Sequence, residues 1–149
     1  MGIVSIHQSI RAPREVTWDA FTGFEQAPSL IASIESVQVL ERGGESGLGL
    51  RFRETRRRGK RSYSEVLEVT QTTAPELLCI ECDSCGGRFK TRFHFTEKGA
   101  STEVDVELSF KPRTIWAKIC TPLKGILLGM CAKVLAQDMN DLASHLEGS

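Results

Sequence analysis

The first ten residues alternate between apolar and polar side chains. Val4, Ile6 and Ile10 lie on one side of an extended chain, and Ser5 and Ser9 lie on the other. Successive side chains of a strand point to opposite faces, so this alternation predicts a strand.

The segment after this strand predicts two short helices. Pro13 has no N–H to donate to a strand ladder but is tolerated in the first turn of a helix. It precedes REVTWDAF, in which Val16, Ala20 and Phe21 are expected to face inward. FEQAPSLIASI then predicts a second short helix that is interrupted by Pro28.

From residue 35 the apolar side chains recur with a period of two, which predicts six further strands. These segments are SVQVLERG, LGLRFRETR, SYSEVLEVTQ, ELLCIEC, RFKTRFHFTEK and STEVDVELSF. Glycine and proline mark the short connections between them. Short connections between neighbouring strands predict an antiparallel meander.

The last third of the chain predicts one long helix with a buried stripe. Pro122 is expected to begin or bend this helix. The apolar residues recur at the three-to-four spacing of a helix. They are Leu127, Leu128, Cys131, Val134, Leu135, Leu142 and Leu146.

This order of elements predicts an α+β fold in a single domain that covers residues 1–149. One helix is too narrow to cover the apolar face of a seven-stranded antiparallel sheet. We therefore expect the sheet to curl around the C-terminal helix and to leave a cavity between the two.

Composition narrows the class of protein. The formal net charge is zero, so there is no global bias toward nucleic acid or an anionic membrane. The five cysteines are an odd number, and the N-terminus has no signal-peptide pattern. We therefore expect a reduced, cytoplasmic protein without structural disulfides.

The apolar stretch GILLGMCA is too short to span a membrane, so no integral membrane association is expected.

Several motifs resemble those of the SRPBCC superfamily, the START/Bet v 1-like group, and in particular its polyketide cyclase/dehydrase-like members. They are I-x-A-P-x-x-V-x-W-x-A-F from Ile10 to Phe21, Pro28 with Leu30, VLEVTQTTAPELL, and Asp141-Leu142 in the terminal helix. The resemblance covers about residues 3–147. It implies a helix-grip fold with a hydrophobic ligand tunnel between a curled sheet and the C-terminal helix. Members bind lipids, sterols, quinones, polyketides or plant hormones, and a minority are enzymes.

Ligand contacts are expected where the sheet and the helix stripe face each other. The residues predicted there are Phe52, Tyr63, Leu78, Ile80, Cys82, Phe89, Phe93, Phe95, Val106, Leu108, Leu127, Met130 and Val134. Ordinary core packing explains any one of them as well as a tunnel does.

Three side chains are candidates for proton transfer. Tyr63 and Glu65 share one face of their strand, and Asp138 lies on the helix stripe. A carboxylate in an apolar cavity has a raised pKa and can act as a general acid or base. The alternative is that a bend of the strand or a rotation of the helix leaves each in solvent. No catalytic triad or glycine-rich phosphate loop is recognisable, and no cofactor is predicted.

The stretch CIECDSCGG has the C-x-x-C-x-x-C spacing found in many metal sites. On a strand, however, Cys79 and Cys85 share one face and Cys82 lies on the other. A turn at residues 84–87 would be needed to bring the three thiolates together, and no second cysteine or histidine pair follows at suitable spacing. We therefore predict that no metal is bound.

Residues 51–61 hold seven basic residues and one acidic residue. A solvated hairpin tip, paired with the acidic strand STEVDVE, is one explanation. A contact with an anion or a ligand headgroup near the tunnel entrance is a second, and nucleic acid is a third.

Three functions remain open at this stage. The first is binding, transport or sequestration of a small hydrophobic or amphipathic ligand. The second is a cyclase/dehydratase-like enzyme in which Tyr63, Glu65 or Asp138 moves protons. The third is an interaction or stress-related module with a vestigial cavity. A cavity without buried ionisable groups favours the first, a carboxylate facing an open cavity favours the second, and a collapsed cavity favours the third.

Overall fold

The computed structural model describes residues 2–119 and 124–148. All seven predicted strands and the long C-terminal helix are confirmed, whereas the predicted role of Pro122 falls outside the described residues. The elements in chain order are β1 (Gly2–Ile10), α1 (Arg14–Thr22), a 3₁₀ turn (Phe24–Gln26), α2 (Ala27–Leu30), β2 (Ile34–Glu41), β3 (Arg51–Arg58), β4 (Arg61–Thr73), β5 (Leu77–Ser84), β6 (Gly87–Lys98), β7 (Ser101–Pro112), α3 (Ile115–Ile119) and α4 (Lys124–Glu147).

The strands form one antiparallel sheet in the order β1-β7-β6-β5-β4-β3-β2. Strands β2 to β7 are consecutive neighbours, which confirms the predicted meander. Strand β1 joins the sheet beside β7, where Ile6 lies opposite Val106.

Helix α4 contacts both ends of the sheet, which requires the sheet to curl. Near β1, the carboxylate of Glu147 accepts a hydrogen bond of 2.9 Å from the backbone N–H of Arg11. At β3, the carboxylate of Asp138 accepts two hydrogen bonds from Arg56. Four strands separate β1 from β3, so a flat sheet would hold these two strands about 24 Å apart. A helix with its side chains is only about 10–12 Å across.

The described residues form two apolar clusters in the interior. The larger one lies under α1 and the C-terminal half of α4, where Phe95 packs edge-to-face against Trp18 and Phe21 at centroid distances of 5.3 and 5.2 Å. The smaller one joins Leu128 of α4 to side chains of β5, β6 and β7. Close packing at that end excludes a side chain at Gly87, because a Cβ there would overlap the ring of Phe110.

Two predictions about the first helices are wrong. Val16 is 47% exposed, because α1 turns Thr17, Trp18 and Phe21 toward the core instead. Pro28 does not interrupt a helix, since it lies in the first turn of α2, where a missing N–H is tolerated.

The basic hairpin does not pair with the acidic strand β7, because three strands lie between β3 and β7. The acidic residues of β7 bind His7 of β1 instead, with distances of 2.8 Å from Glu103 and 2.7 Å from Asp105. The exposed Arg57 pairs with Glu35 at 3.1 Å. No helix in residues 2–119 and 124–148 has the length and apolar character needed to cross a membrane.

Candidate functional site

A cavity of about 150 Å³ lies between the sheet and the C-terminal half of α4. The end of α1, the 3₁₀ turn and α2 close one side of it. Aromatic and aliphatic side chains form most of its wall. They are Ala20, Phe21, Phe24, Ala27, Ile31, Ile34, Phe52, Leu67, Ile80, Phe93, Leu135, Met139 and Leu142.

One wall of this cavity is charged. Phe52, Glu54 and Arg56 alternate along β3, so all three point to the same face of the sheet and line the cavity. Asp138 reaches the same wall from α4. These charged side chains are nearly buried, with 15% of Glu54, 14% of Arg56 and 8% of Asp138 exposed.

The guanidinium of Arg56 lies at the centre of this wall. Its Nη1 and Nη2 donate to the two carboxylate oxygens of Asp138 at 2.9 and 2.6 Å. Its Nε donates to Glu54 at 2.6 Å, and Nη1 also donates to the hydroxyl of Ser33 at 2.9 Å. A bidentate pair of this kind is among the stronger hydrogen-bonded contacts in proteins, and it joins β3 to α4.

One cation cannot fully compensate two buried carboxylates. Burial raises the pKa of Glu54, and the charge and hydrogen bond of Arg56 offset only part of the effect. Burial likewise raises the pKa of Asp138 above its ordinary value in spite of Arg56. For Arg56, burial acts to lower the pKa, but the bond to Asp138 and the charge of Glu54 outweigh it and raise the pKa. The wall therefore has an excess of negative charge, and its two carboxyl groups take up protons more readily than exposed ones.

Three of the thirteen predicted ligand contacts line this cavity, namely Phe52, Ile80 and Phe93. The other ten are absent from its described lining. Three of them are buried in the larger cluster, namely Leu78, Phe95 and Val106. Three more are buried in the smaller cluster, namely Cys82, Phe89 and Leu108, and Leu127 packs against that cluster. The last three are less buried, since Val134 is half-buried, Tyr63 is 39% exposed and Met130 is 40% exposed.

Among the candidates for proton transfer, the structure places Asp138 in the cavity and the other two outside it. Glu65 instead lies beside Ser84, whose hydroxyl donates to it at 3.4 Å, and beside the Cys82 thiol at 3.9 Å. Burial, reinforced by the charge of Glu65, raises the pKa of Cys82 to about 12, so this thiol stays protonated at neutral pH.

Sequence reasoning missed Glu54 and Arg56. The run of basic residues at 51–61 was considered as a unit, and of the three explanations left open for it one was a solvated hairpin tip. Arg57 and Arg58 are exposed, as that interpretation requires, but Arg56 is not. The period of two in β3 contains the missing signal, since Phe52 is a core residue and Arg56 lies four residues later on the same face.

The cysteines of CIECDSCGG do not converge. Cys79 lies opposite Arg92 and Cys82 lies opposite Phe89 on the other face of the sheet. Cys85 follows in a tight turn with a φ of 54°. Within the described part of the chain, no group of three or more histidine, cysteine, aspartate or glutamate side chains is arranged to hold a metal ion.

Comparison with known proteins adds a family and a set of similar folds. A family model described as polyketide cyclase/dehydrase and lipid transport matches residues 1–147. No curated protein matches the chain by sequence.

Several solved structures share the fold over nearly the whole chain. A START superfamily protein from Mycobacterium smegmatis has a TM-score of 0.79 at 17% identity and covers 98% of this chain and 97% of its own. Ara h 8.0201 has a TM-score of 0.78 at 12% identity and covers 99% and 100%. The Zhui aromatase/cyclase from Streptomyces sp. R1128 has a TM-score of 0.77 at 12% identity and covers 98% and 93%. These similarities confirm the predicted helix-grip fold.

Proposed function

Because the chain belongs to the polyketide cyclase/dehydrase and lipid transport family, we propose that it binds a small, largely apolar molecule in the cavity between the sheet and α4. The observation that supports this proposal is the composition of the cavity wall. Most of the wall is aromatic or aliphatic, and one side carries Glu54, Arg56 and Asp138. Apolar pockets with a few converging polar groups are the usual form of small-molecule sites.

The volume of the cavity sets the size of its occupant. A cavity of about 150 Å³ lined by aliphatic and aromatic side chains accommodates a molecule of the size of benzene, whereas drug-sized ligands occupy about 300–1,000 Å³. We therefore expect a molecule with one ring or a short chain. A sterol or a folded polyketide requires displacement of side chains from α1 and α2.

The charged wall sets the polarity of the ligand. Arg56 has five N–H donors, and four hydrogen bonds already join it to Glu54, Ser33 and Asp138. The free hydrogen-bonding capacity of this wall therefore belongs mainly to carboxylate oxygens, which accept. We expect the ligand to offer a donor such as a phenol, a hydroxyl group or an amine, and we expect carboxylic acids to be rejected.

A ligand panel tests this proposal directly. Toluene, phenol, aniline and benzoate have similar ring sizes, and only phenol and aniline combine the ring with a donor. We expect phenol and aniline to raise the melting temperature more than toluene does, and benzoate to have no effect.

A cavity-filling variant with a matched control shows where the panel binds. Ala27 lines the cavity and Ala32 is exposed on the surface nearby. Ala27→Leu should abolish the shifts, whereas Ala32→Leu should leave them unchanged. A folded, monodisperse protein that binds none of the four compounds would contradict the proposal and favour an interaction module.

A second candidate function, a cyclase/dehydratase-like enzyme, is favoured by Asp138, because a carboxyl group that faces the cavity is the feature expected of an enzyme. It ranks second because both carboxylate oxygens of Asp138 already accept hydrogen bonds from Arg56. The carboxyl group of Asp138 faces the cavity and has a raised pKa, as expected for a group that transfers a proton. Mass spectrometry of molecules extracted from gently purified wild-type protein and Asp138→Asn separates the two functions. A carrier retains the same molecule in both, whereas an enzyme accumulates an unconverted substrate in the variant.

The expected cellular location and partners stay predictions. A reduced cytoplasmic protein agrees with the free thiols of Cys79, Cys82, Cys85 and Cys131. Nucleic acid and integral membrane association are not part of the proposed function.

A further inference from the structure

One end of the molecule gathers features that the cavity does not use. In an antiparallel meander, the β3–β4 turn and the β5–β6 turn lie at the same end of the sheet, and β7 also finishes there. Helix α3 is fixed beside the β5–β6 turn, because the backbone N–H groups of Arg113 and Thr114 donate to the carbonyl of Gly86 at 2.9 and 3.0 Å.

The first turns of α4 lie at this end as well. Leu128 packs in the smaller cluster with Cys82, Phe89 and Phe110, which are the residues of β5, β6 and β7 next to the β5–β6 turn. Helix α3 and the first turns of α4 therefore both lie at this end of the molecule.

The exposed faces of α3 and of the first turns of α4 carry large apolar side chains. We name them the apolar patch, which consists of Ile115 (73% exposed), Trp116 (75%), Ile119 (64%), Ile126 (63%) and Met130 (40%). Single exposed apolar residues are common, but several at one end of a molecule, with a tryptophan among them, point to an interaction site. The other tryptophan of the chain, Trp18, is buried in the core.

Basic residues are concentrated in the sequence around the apolar patch and at the same end of the sheet. Residues 108–137 contain five lysine or arginine residues and no acidic residue, although the whole chain has no net charge. The β3–β4 turn adds Arg58, Lys60 and Arg61, which are exposed and form no ion pair with any described residue.

The acidic residues at this end do not cancel the positive charge. Asp83 is bound by Arg88 at 3.1 Å and lies 3.6 Å from Arg113. Glu35 accepts a hydrogen bond from Ser62 and pairs with Arg57. Asp83 therefore faces two cations and Glu35 faces Arg57, whereas Arg58, Lys60 and Arg61 pair with neither carboxylate and contribute the excess of positive charge at this end.

We propose that this end of the molecule docks reversibly on a lipid bilayer that contains anionic headgroups. Aliphatic side chains and a tryptophan beside lysine and arginine are the composition of surfaces that lie in the membrane interface. The apolar side chains enter the boundary between headgroups and acyl chains, and the basic residues are attracted to the anionic surface. Isoleucine side chains have no comparable role on nucleic acid, where binding relies on aromatic stacking and phosphate contacts.

This inference does not depend on the proposed function, because it concerns a surface that the cavity residues do not share. Vesicle binding and ligand binding can therefore succeed or fail separately.

Vesicle flotation with the full chain tests the docking surface. We expect strong binding to vesicles that contain phosphatidylcholine and phosphatidylglycerol, and at least tenfold weaker binding to phosphatidylcholine alone. Raising the salt from about 0.1 M to about 1 M shortens the Debye length from about 10 to about 3 Å and should release most of the protein. Because Trp116 is exposed and Trp18 is buried, the tryptophan emission should shift to shorter wavelength when the patch enters the interface.

Two variants and one control separate the apolar and the charged contributions. Trp116→Ala combined with Ile119→Ser should lower binding to anionic vesicles about tenfold or more and abolish the emission shift. Changing Arg58, Lys60 and Arg61 to glutamine should lower binding roughly a hundredfold, since each basic residue near an anionic surface contributes about a fivefold factor. Val16→Ser removes a comparably exposed apolar side chain from α1 and should change nothing.

Three results would overturn the proposal. The first is equal binding to neutral and anionic vesicles, or binding that neither variant weakens. The second is a failure to bind vesicles together with salt-sensitive binding of an oligonucleotide, which identifies the basic rim as a nucleic-acid surface. The third is a failure to bind vesicles together with a dimer in solution that Trp116→Ala dissociates, which identifies the patch as a contact between two copies of the chain.

Discussion

Replacement of Arg56 by glutamine should destabilise the protein far more than the same replacement of an exposed arginine in residues 51–61. The Arg56 side chain is 14% exposed, and its guanidinium is bound to Glu54 and to both oxygens of Asp138. Glutamine is shorter and uncharged, so it leaves two nearly buried carboxylates without a cation. The same substitution at Arg57, whose side chain is 68% exposed, removes only a surface ion pair.

The magnitude follows from the type of each ion pair. Removal of one partner from a buried pair costs about 3–5 kcal/mol, because the remaining charge is left uncompensated. Loss of an exposed pair costs about 0–1 kcal/mol. The whole free energy of unfolding of a domain is about 5–15 kcal/mol, so Arg56→Gln should remove a large fraction of it and Arg57→Gln very little.

The loss in Arg56→Gln should also depend on pH. Without Arg56, burial raises the pKa values of Glu54 and Asp138 in the folded state further above those in the unfolded chain. The folded state then binds more protons than the unfolded state, so stability falls as pH rises through this interval. The difference between wild type and Arg56→Gln should therefore be smaller near pH 4 than near pH 7.

Urea denaturation of the two single variants and the wild type at both pH values measures these effects. The double variant Arg56→Gln/Asp138→Asn removes one of the stranded charges and should recover part of the loss, and equal m-values would show that the unfolded states are comparable. If Arg56→Gln and Arg57→Gln lose the same small amount at pH 7, the charged wall is solvated and our reasoning about the cavity is wrong.

Further predictions concern other parts of the chain. Gly129→Ala should stabilise the protein by up to about 1 kcal/mol, since a Cβ there meets open space in a helix. Gly87→Ala should instead cost at least about 1–3 kcal/mol through overpacking. Equal changes in the free energy of unfolding, measured by urea denaturation, would contradict both predictions. The hydrogen bond to Asp105 and the charges nearby raise the pKa of His7, so its titration in NMR should have a midpoint above 6.5. The stabilisation that this pair gives the folded state is complete below the ordinary pKa of 6.5 and is lost as pH rises through the raised pKa. A midpoint at or below 6.5 would contradict the pairing of His7 with Asp105. Replacement of the three cysteines in residues 79–85 by serine should leave the metal content near zero and the circular dichroism unchanged; about one zinc per wild-type chain would refute the assignment to opposite faces.

The fold was predictable because strands with one buried face have a strict period of two. Phe93 and Phe95 alternate with charged residues in β6, and Val104 and Val106 do so in β7, so their faces follow from the sequence alone. The resemblance to a known family then supplied the helix-grip arrangement, whereas the place of β1 beside β7 was not predicted and comes from the structure.

The site was only partly predictable, because its walls come from elements whose relative positions depend on packing. Asp138 was found because it interrupts an apolar helix stripe. The cavity is lined from α2 and α4 by Ala27, Leu135 and Met139. The apolar periodicity of a short helix does not indicate which of its sides approaches the sheet. The described cavity lining contains neither Gly125 nor Gly129, although a glycine within a helix leaves space beside it.

The position of β1 beside β7 has a consequence for the order in which the fold forms. The side chains of His7 and Asp105 are hydrogen-bonded across 98 residues of chain, so β1 leaves the ribosome long before its neighbour exists. At about 5–20 residues per second, synthesis of the intervening chain takes roughly 5–20 s. During that interval the β2–β6 hairpins are able to pair, while β1 keeps unpaired backbone groups and alternating apolar side chains, a combination that promotes association with other chains. The rate at which the last third is translated therefore sets the earliest time at which the sheet can close, and slower translation prolongs the exposure of β1.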